Sequence, residues 1–371
     1  TRMKDHSEEP AFYVFNQADS AGFVVVSGDD RTAAVLLYAE EGQFDEASVN
    51  PNMRFWLDRL QEQLSAANGQ NTAVTPRQQV TKIALLLVND QGKEIKWDQT
   101  KPYNDLCPID KADNSRCYTG CVATAAAMIM YKWRYPNKGK GDYTYSWLNE
   151  LTEERQLLSA DFGATTYQWE QMLPVYTSNN YTSTQADAVA TLMYHAGVSV
   201  EMMYGDYSDG GSGAYTEALN YGDNYVCAQN ALWKYFKYNY DSIASYKRSN
   251  YSDNNWHNLL KKELDKHRPI MYSGSGTGGG HSFICDGYTA NNYFHFNWGW
   301  SGSSDGWFLS NALTLSSGGA GSAGLNFNSG QGIIIGIVPN VSSKYTITYN
   351  AGAHATCATP SWTQTSIGQS T

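Results

Sequence analysis

The sequence predicts an α+β protein in which a helical half precedes an antiparallel β half, with a small α+β unit ahead of both. Three observations support this prediction. An almost wholly apolar helix is expected to begin at Cys121 and to stop before Pro136. Short β-like runs with glycine-rich connections fill the sequence from residue 270 onward. Strand-like runs also occupy residues 12–40, ahead of a polar stretch at 66–79.

Composition excludes several functional classes. The 371 residues contain 26 Lys and Arg against 36 Asp and Glu, a net charge of −10. A nucleic-acid or anionic-membrane partner is not expected, because phosphate contacts need clustered basic residues. A membrane span is not expected either, because no apolar run approaches the roughly 20 residues that cross a bilayer.

The first unit is predicted at residues 1–80. Its strand-like runs fall at 12–15, 22–27 and 33–38, and a helix should follow residues 50–52, with apolar side chains at 55, 56, 60 and 64. The polar stretch 66–79 has the composition of an exposed, cleavable linker. We therefore place a larger domain at 81–340, followed by a tail at 341–371 that begins like a further β module and is too short for its own core.

Two helices are expected in the first half of the larger domain. The first carries a buried stripe from Val122 to Trp133. The second covers 182–195, with the capping pair Thr182 and Gln185 at its start and Gly197 closing it. In the second half, strands are expected at 270–273, 281–285, 293–298 and 333–338, and the apolar run 83–88 is short enough to be a buried strand.

Cys121 is the candidate nucleophile. The first turn of a helix offers partial positive charge and unused N–H groups, which lower the pKa of a thiol and can bind an oxyanion. Gly120 permits close approach of a substrate. A buried structural cysteine at the start of an apolar helix explains the local sequence equally well.

His281 is the best general base among the seven histidines. It opens an apolar strand directly after a glycine run, so its ring should face a cleft. Its second N–H needs an acceptor, which can be an Asn amide oxygen or a backbone carbonyl. We expect Asn297 to orient the ring and Trp298 to shield it, and one of Trp298 and Trp300 could be a core aromatic alongside that role. Upstream, the amide of Gln99 could be an oxyanion donor.

Taken together, these motifs resemble the streptopain family of secreted bacterial cysteine proteases, which have the papain-like fold. The resemblance covers roughly residues 10–340 and rests on Trp-Asp-Gln-x-x-Pro-Tyr-Asn at 97–104, Thr-Gly-Cys-Val-Ala-Thr-Ala at 119–125, and the matching segments 135–139, 172–174, 280–281, 297–300, 304–306 and 317–332.

The resemblance implies a Cys121–His281 dyad, with Gln99 in the oxyanion hole and Trp298 beside the base. It also implies that the N-terminal unit is an inhibitory pro-segment, which displaces the catalytic histidine and brings Asn50 into the cleft. Three residues are expected to bind substrate, and later glycine-rich segments are expected to form a flap. The three substrate-binding candidates are Gly280, Ser212 and Trp300.

The same resemblance implies a secreted or cell-surface protein that cleaves proteins, with host proteins as expected substrates and with no cofactor. Two alternatives remain open, a catalytically silent adhesin or a Cys-His acyltransferase on the same fold. A metal site is not expected, because Cys117 and Cys121 lack paired ligands elsewhere. Whether Cys107 and Cys117 form a disulfide is left open. The region 221–238 is interpreted as an insertion relative to the family.

Overall fold

The computed structural model describes residues 2–3, 12–16, 22–27, 35–39, 44, 85–110, 114–149, 152–178, 180–205, 211–276, 279–313 and 326–340. The predicted helix after residue 52, the linker 66–79 and the tail 341–371 lie outside these residues. The described part contains three sheets and four α-helices, and the sheets are antiparallel throughout.

The N-terminal unit contains a four-stranded sheet. Its strands are β1 (Arg2–Met3), β2 (Phe12–Asn16), β3 (Phe23–Ser27) and β4 (Val35–Ala39), and they pair in chain order. Phe12, Val14 and Val25 are buried, whereas Tyr13 and Phe15 are exposed. This alternation is the period of two of a half-buried strand, and it confirms the sheet that the sequence predicts.

Helix α1 (Cys121–Trp133) forms where the apolar pattern predicts it. Ten consecutive residues from Val122 to Tyr131 are buried, because the helix lies between α2 and strand β9 and is covered on all sides. It ends at Arg134, whose backbone is left-handed. The nucleophile candidate is therefore the first residue of a central helix.

Helix α2 (Ser183–Ser199) has the predicted capping box between Thr182 and Gln185. The predicted end at Gly197 is wrong, because the helix continues two residues further. A Cβ at Gly197 would collide with the hydroxyl of Tyr204. This glycine allows close packing against Tyr204 rather than ending the helix.

Several elements were not predicted, among them strands β7 and β11 of the main sheet, whose bounds are given below, a hairpin and two helices. The hairpin β5 (Asp142–Leu148) and β6 (Arg155–Asp161) follows α1, helix α3 (Ala228–Lys234) lies within the inferred insertion, and helix α4 (Asp253–Leu264) precedes the main sheet. The apolar run at 83–88 does not form the expected strand in its described part, since residue 88 makes only an isolated bridge to Glu94.

The main sheet has six strands in the order β11-β10-β9-β8-β12-β7. The strands are β7 (Ala244–Lys247), β8 (Ile270–Gly276), β9 (Gly279–Tyr288), β10 (Tyr293–Asn297), β11 (Gly306–Leu309) and β12 (Ser329–Ile335). The four predicted runs are confirmed as β8, β9, β10 and β12, with shifted ends. Strand β10 stops before Trp298, and β12 begins inside the glycine-rich segment 317–332.

Both faces of this sheet are buried. On one face, Met271, Ile284 and Ile334 join the core of the helical half. On the other face, an aromatic core packs against α4, and it includes Phe283, Phe296 and Trp298. Successive side chains of a strand point to opposite faces, so His281 lies on the side of Phe283 and Ser282 on the side of Ile284. Among the described residues, no helix is long and apolar enough to cross a bilayer.

Candidate active site

Cys121 is partly accessible and packs against the core of the helical half. Gly120 before it has φ 84°, and a Cβ there would lie 2.5 Å from the sulfur of Met202. No side chain caps the start of α1, so its first N–H groups remain available. The sequence places a thiol and free backbone donors at the same point.

The thiol of Cys121 is in a mixed electrostatic environment. Burial raises its pKa, while the backbone N–H groups of Ser282, Val122 and Cys121 itself act in the opposite direction. Ser282 directly follows His281 on β9. The sulfur of Cys121 therefore lies against the backbone of β9, next to the residue that carries the candidate base.

His281 is enclosed by aromatic rings, and only 8% of the residue is exposed. Its ring stacks on Trp300 at a centroid distance of 4.5 Å, and Phe327 and Phe283 lie 5.1 and 5.7 Å away. Burial lowers its pKa to about 4, although a backbone hydrogen bond with Trp298 opposes the shift. The neutral imidazole is the favoured form in this enclosure.

The predicted contact between Asn297 and His281 is wrong. The Nε2 atom of His281 lies 2.8 Å from the backbone carbonyl oxygen of Trp298. The amide of Asn297 instead donates to the Ile95 carbonyl at 2.8 Å, and its oxygen accepts the N–H of Gly299 at 3.0 Å. Because β10 ends at Asn297, the strand alternation assumed for Trp298 no longer applies.

Asn297 still holds the peptide group between Trp298 and Gly299, whose carbonyl oxygen contacts His281. The Gly299 N–H belongs to the peptide group whose oxygen is the Trp298 carbonyl that meets His281. The hydrogen bond from Gly299 to Asn297 therefore holds the plane of the acceptor. The side chain of Trp298 is fully buried, and its ring is nearly parallel to that of His281 at 6.3 Å. The shielding role expected for Trp298 stays a prediction.

Gln99 is buried on the segment that leads to the nucleophile. Its carbonyl accepts the N–H of Thr119 at 3.1 Å, and its own N–H donates to the carboxylate of Asp98 at 2.5 Å. The other oxygen of Asp98 accepts the hydroxyl of Ser301 at 2.7 Å. The loop after Trp298 thus holds the Gln99 segment as well as the base.

The remaining site predictions have different outcomes. Gly280 is exposed beside His281, and Ser212 lies next to Gly120, within 3.2 Å of a Cβ placed there. The Ser212 hydroxyl donates to the Tyr118 carbonyl at 2.7 Å and accepts the Gly205 N–H at 3.0 Å. Trp300 is 2% exposed and covers the face of His281, so in this structure it contacts the base. Asn50 lies outside the described residues.

No disulfide joins Cys107 to Cys117. Cys107 is a buried thiol, and burial raises its pKa. Within the described ranges, no group of His, Cys, Asp and Glu side chains has the geometry of a metal site.

Two residues of the site were not identified from the sequence, Asp305 and Ser301. The Ser-Asp-Gly motif at 304–306 was noticed, but its spacing does not indicate which backbone group Asp305 holds.

A candidate nucleophile at a helix start and a buried histidine on an antiparallel sheet are the features of papain-like cysteine proteases. Residues 97–308 match the Peptidase C10 family, and residues 1–64 match the Spi protease inhibitor family. The chain belongs to the Peptidase C10 family and is a cysteine endopeptidase precursor, whose N-terminal region is a pro-segment.

Relatives agree with this assignment. Streptopain of Streptococcus pyogenes serotype M28 is 36% identical over 337 residues, which are 88% of this chain and 80% of streptopain. The thiol protease/hemagglutinin PrtT of Porphyromonas gingivalis is 34% identical over 342 residues. That match covers 90% of this chain but only 37% of PrtT, so the chain spans little more than a third of that relative.

Solved structures agree as well. A mutant fragment of prointerpain A from Prevotella intermedia superposes with a TM-score of 0.59 at 31% identity, covering 92% of this chain and 98% of the fragment. Active interpain A gives a TM-score of 0.56 at 35% identity, covering 69% of this chain and 94% of interpain A. These similarities favour peptide hydrolysis over the adhesin and acyltransferase alternatives.

Proposed function

We propose that Cys121 and His281 form the catalytic dyad of this endopeptidase. The observation that supports the pairing is that the backbone N–H of Ser282, adjacent to His281, faces the sulfur of Cys121. With Nε2 directed at the Trp298 carbonyl, Nδ1 is the ring nitrogen that exchanges a proton with the thiol. The dyad then needs no third side chain in direct contact with the imidazole.

The reaction is acyl transfer to the thiol. Burial disfavours the thiolate at Cys121 and the imidazolium at His281, so the resting pair is neutral. His281 takes the thiol proton as the sulfur attacks the peptide carbonyl, and it then protonates the leaving amine. In the second half of the reaction His281 takes a proton from water as the water attacks the acyl group, and it returns that proton to the sulfur as the acyl group leaves.

The oxyanion is held by the backbone N–H of Cys121 and the side-chain amide of Gln99. Substrate binds along Gly280 and Ser212, on either side of the nucleophile. Gly280 leaves the groove open next to the base, and the Met202 side chain lies under Gly120 at the opposite wall. Trp300 does not line the groove directly; it stacks on His281, which does.

The N-terminal unit inhibits the enzyme until it is removed. Its similarity to a protease inhibitor family and the superposition with prointerpain A support this proposal. Entry of Asn50 into the cleft and displacement of the His281 ring away from the sulfur are the proposed means. Removal of the unit returns the ring to Cys121, and the bond of Nε2 to the Trp298 carbonyl is proposed to hold in both positions. The unit boundaries at 80 and 340, a maturation cut between residues 66 and 96, secretion by a bacterium and host-protein substrates are further parts of the proposal.

The full-length Cys121→Ala variant tests the dyad. The parent is expected to shorten from its N-terminus on incubation and to hydrolyse casein, whereas the variant stays full length, because without the thiol no acyl-enzyme forms. The activity loss should reach at least about a thousandfold, the order seen when a triad nucleophile is removed. Electrophoresis, N-terminal sequencing and casein turnover measure both effects.

Cys227→Ala is the matched control, because Cys227 is buried at the start of helix α3. It should shorten and hydrolyse casein like the parent. Equal shortening of the parent and of Cys121→Ala, in the absence of any added protease, would defeat the assignment. Incorporation of an amine in place of hydrolysis would point to the acyltransferase alternative.

A further inference from the structure

The loop between β10 and β11 holds Trp298 from both sides. On the side of its carbonyl, the following peptide N–H, from Gly299, donates to Asn297. On the side of its own N–H, Trp298 donates to Oδ1 of Asp305 at 2.9 Å. A rotation about either backbone torsion of Trp298 would break one of these bonds. The carbonyl that meets His281 is therefore held in a fixed direction.

Asp305 is the last residue of this loop and lies where the loop returns to β11. Three charged or titratable groups face it, His295 from β10, Asp286 from β9 and Lys96 from the segment before the nucleophile. His295 is itself paired with Asp286, with 2.6 Å between its Nδ1 and the carboxylate oxygen. Burial raises the pKa of Asp305 to about 7, with the Trp298 N–H, His295 and Lys96 opposing the rise and Asp286 adding to it.

We infer that Asp305 is a positioning residue for catalysis, which holds the Trp298 backbone so that its carbonyl keeps His281 in one orientation and one tautomer. This inference rests on the proposed role of His281 as the base. A carbonyl acceptor at Nε2 leaves Nδ1 without a proton, which is the form a base needs. Asp305 reaches the imidazole through one residue and touches no substrate.

The contacts of Asp305 distinguish this role from general support of the fold. The carboxylate oxygen of Asp305 accepts the N–H of Trp298, and Trp298 is also the residue whose carbonyl accepts from His281. A carboxylate accepts an N–H more strongly than a neutral amide oxygen does. Loss of the charge alone and loss of the whole acceptor should therefore have graded effects on the base.

Two variants separate charge from hydrogen bonding, Asp305→Asn and Asp305→Ala. The alanine variant leaves the Trp298 N–H without its acceptor, and kcat should fall by about ten- to a hundredfold with little change in KM. The asparagine variant keeps an acceptor oxygen, so its loss should be smaller, about three- to tenfold. Both are measured on enzyme that has lost its N-terminal segment.

A pH profile supplies the readout that a merely structural role would not move. In the parent, the alkylation rate of Cys121 by iodoacetamide should show a step near neutral pH as Asp305 ionises. The ionised carboxylate strengthens the bond to Trp298, so reactivity should be greater on the alkaline side. This step should disappear in Asp305→Asn. Asp241→Asn, which removes an exposed carboxylate before β7, should keep it.

Three outcomes would overturn the inference or the function on which it depends. If both Asp305 variants stay within about twofold of the parent at every pH, Asp305 does not position the base. If kcat falls only together with the melting temperature and with an unchanged pH profile, its role is structural. If His281→Ala remains active, the proposed dyad itself fails, whatever the Asp305 variants do.

Discussion

The two proposed catalytic groups, Cys121 in the helical half and His281 in the sheet half, have different electrostatic surroundings. On the side of the helical half, burial of Cys121 is opposed by the backbone N–H of Ser282 on β9 and by those of Val122 and Cys121 at the start of α1. In the sheet half, His281 is surrounded by aromatic rings, and only the Trp298 carbonyl opposes its desolvation. Desolvation favours the neutral form of both groups, but backbone donors that can stabilise a developing anion face only the sulfur.

This difference assigns separate tasks to the two halves. The helix start provides positive potential for the sulfur and for the oxyanion, which matters most in the transition state. The sheet provides a rigid site that fixes the direction of a neutral base. Substitutions on the helical side should therefore reduce transition-state stabilisation, whereas those on the sheet side should change the pH range and the orientation of the base.

Gln99→Ala tests the helical side and should have the largest effect of the three substitutions considered next. Removal of one oxyanion donor should lower kcat by about a hundred- to a thousandfold, with KM nearly constant. Steady-state hydrolysis of a peptide substrate measures both constants. Gln229→Ala is the matched control, because the Gln229 side chain accepts the Ala218 N–H in another part of the helical half. A drop of similar size in that control would contradict the assignment of Gln99.

Trp300→Ala tests the aromatic enclosure on the sheet side. Water admitted beside His281 should raise its pKa from about 4 toward the ordinary histidine value, since burial is the cause of the depression. A neutral base is lost as the pH falls through its pKa, so the acid limb of the kcat profile should move to higher pH, by about one unit.

Activity near pH 5 should consequently fall more than activity near pH 8. The control is Trp233→Ala, which removes a partly buried indole that donates to Asn230 and should leave the acid limb in place. An unchanged acid limb in Trp300→Ala would mean that the enclosure does not set the pKa of the base.

Ser301→Ala should have the smallest effect. It removes the hydroxyl bond to Asp98 but keeps the bond from the Ser301 N–H to the Trp97 carbonyl. A lowering of kcat by about two- to fivefold is expected, the effect of one exposed hydrogen bond on the Gln99 segment. Ser303→Ala, at an exposed position of the same loop, should match the parent. A tenfold loss in both would show that the loop as a whole, rather than this bond, is sensitive.

Much of the fold follows from local sequence. Helix α1 and the strands β8, β9 and β10 were predicted because their apolar runs are long enough to identify a buried element. The end of α2 was predicted wrongly because Gly197 has a tertiary role, close contact with Tyr204, that a local pattern does not contain. The hairpin β5–β6 was missed although β5 alternates polar and aromatic residues, because most positions of the hairpin are exposed or half-buried and form no apolar run.

The candidate site shows the same limit at the level of single atoms. Residue types were enough to select Cys121 and His281, because few side chains can serve as a nucleophile and a base. They could not reveal that the acceptor of His281 is a backbone carbonyl, since every residue has one. Asp305 escaped attention for a related reason, because its partner is the backbone N–H of Trp298.

The two faces of the main sheet belong to different cores, and the two proposed catalytic groups lie on opposite sides of the boundary between them. Helix α1 and strand β9 meet along that boundary. A small separation there would pull sulfur and imidazole apart while each core stayed packed. Peptidase activity should therefore depend closely on how the two halves pack against each other. Activity can be lost under conditions in which each half is still folded.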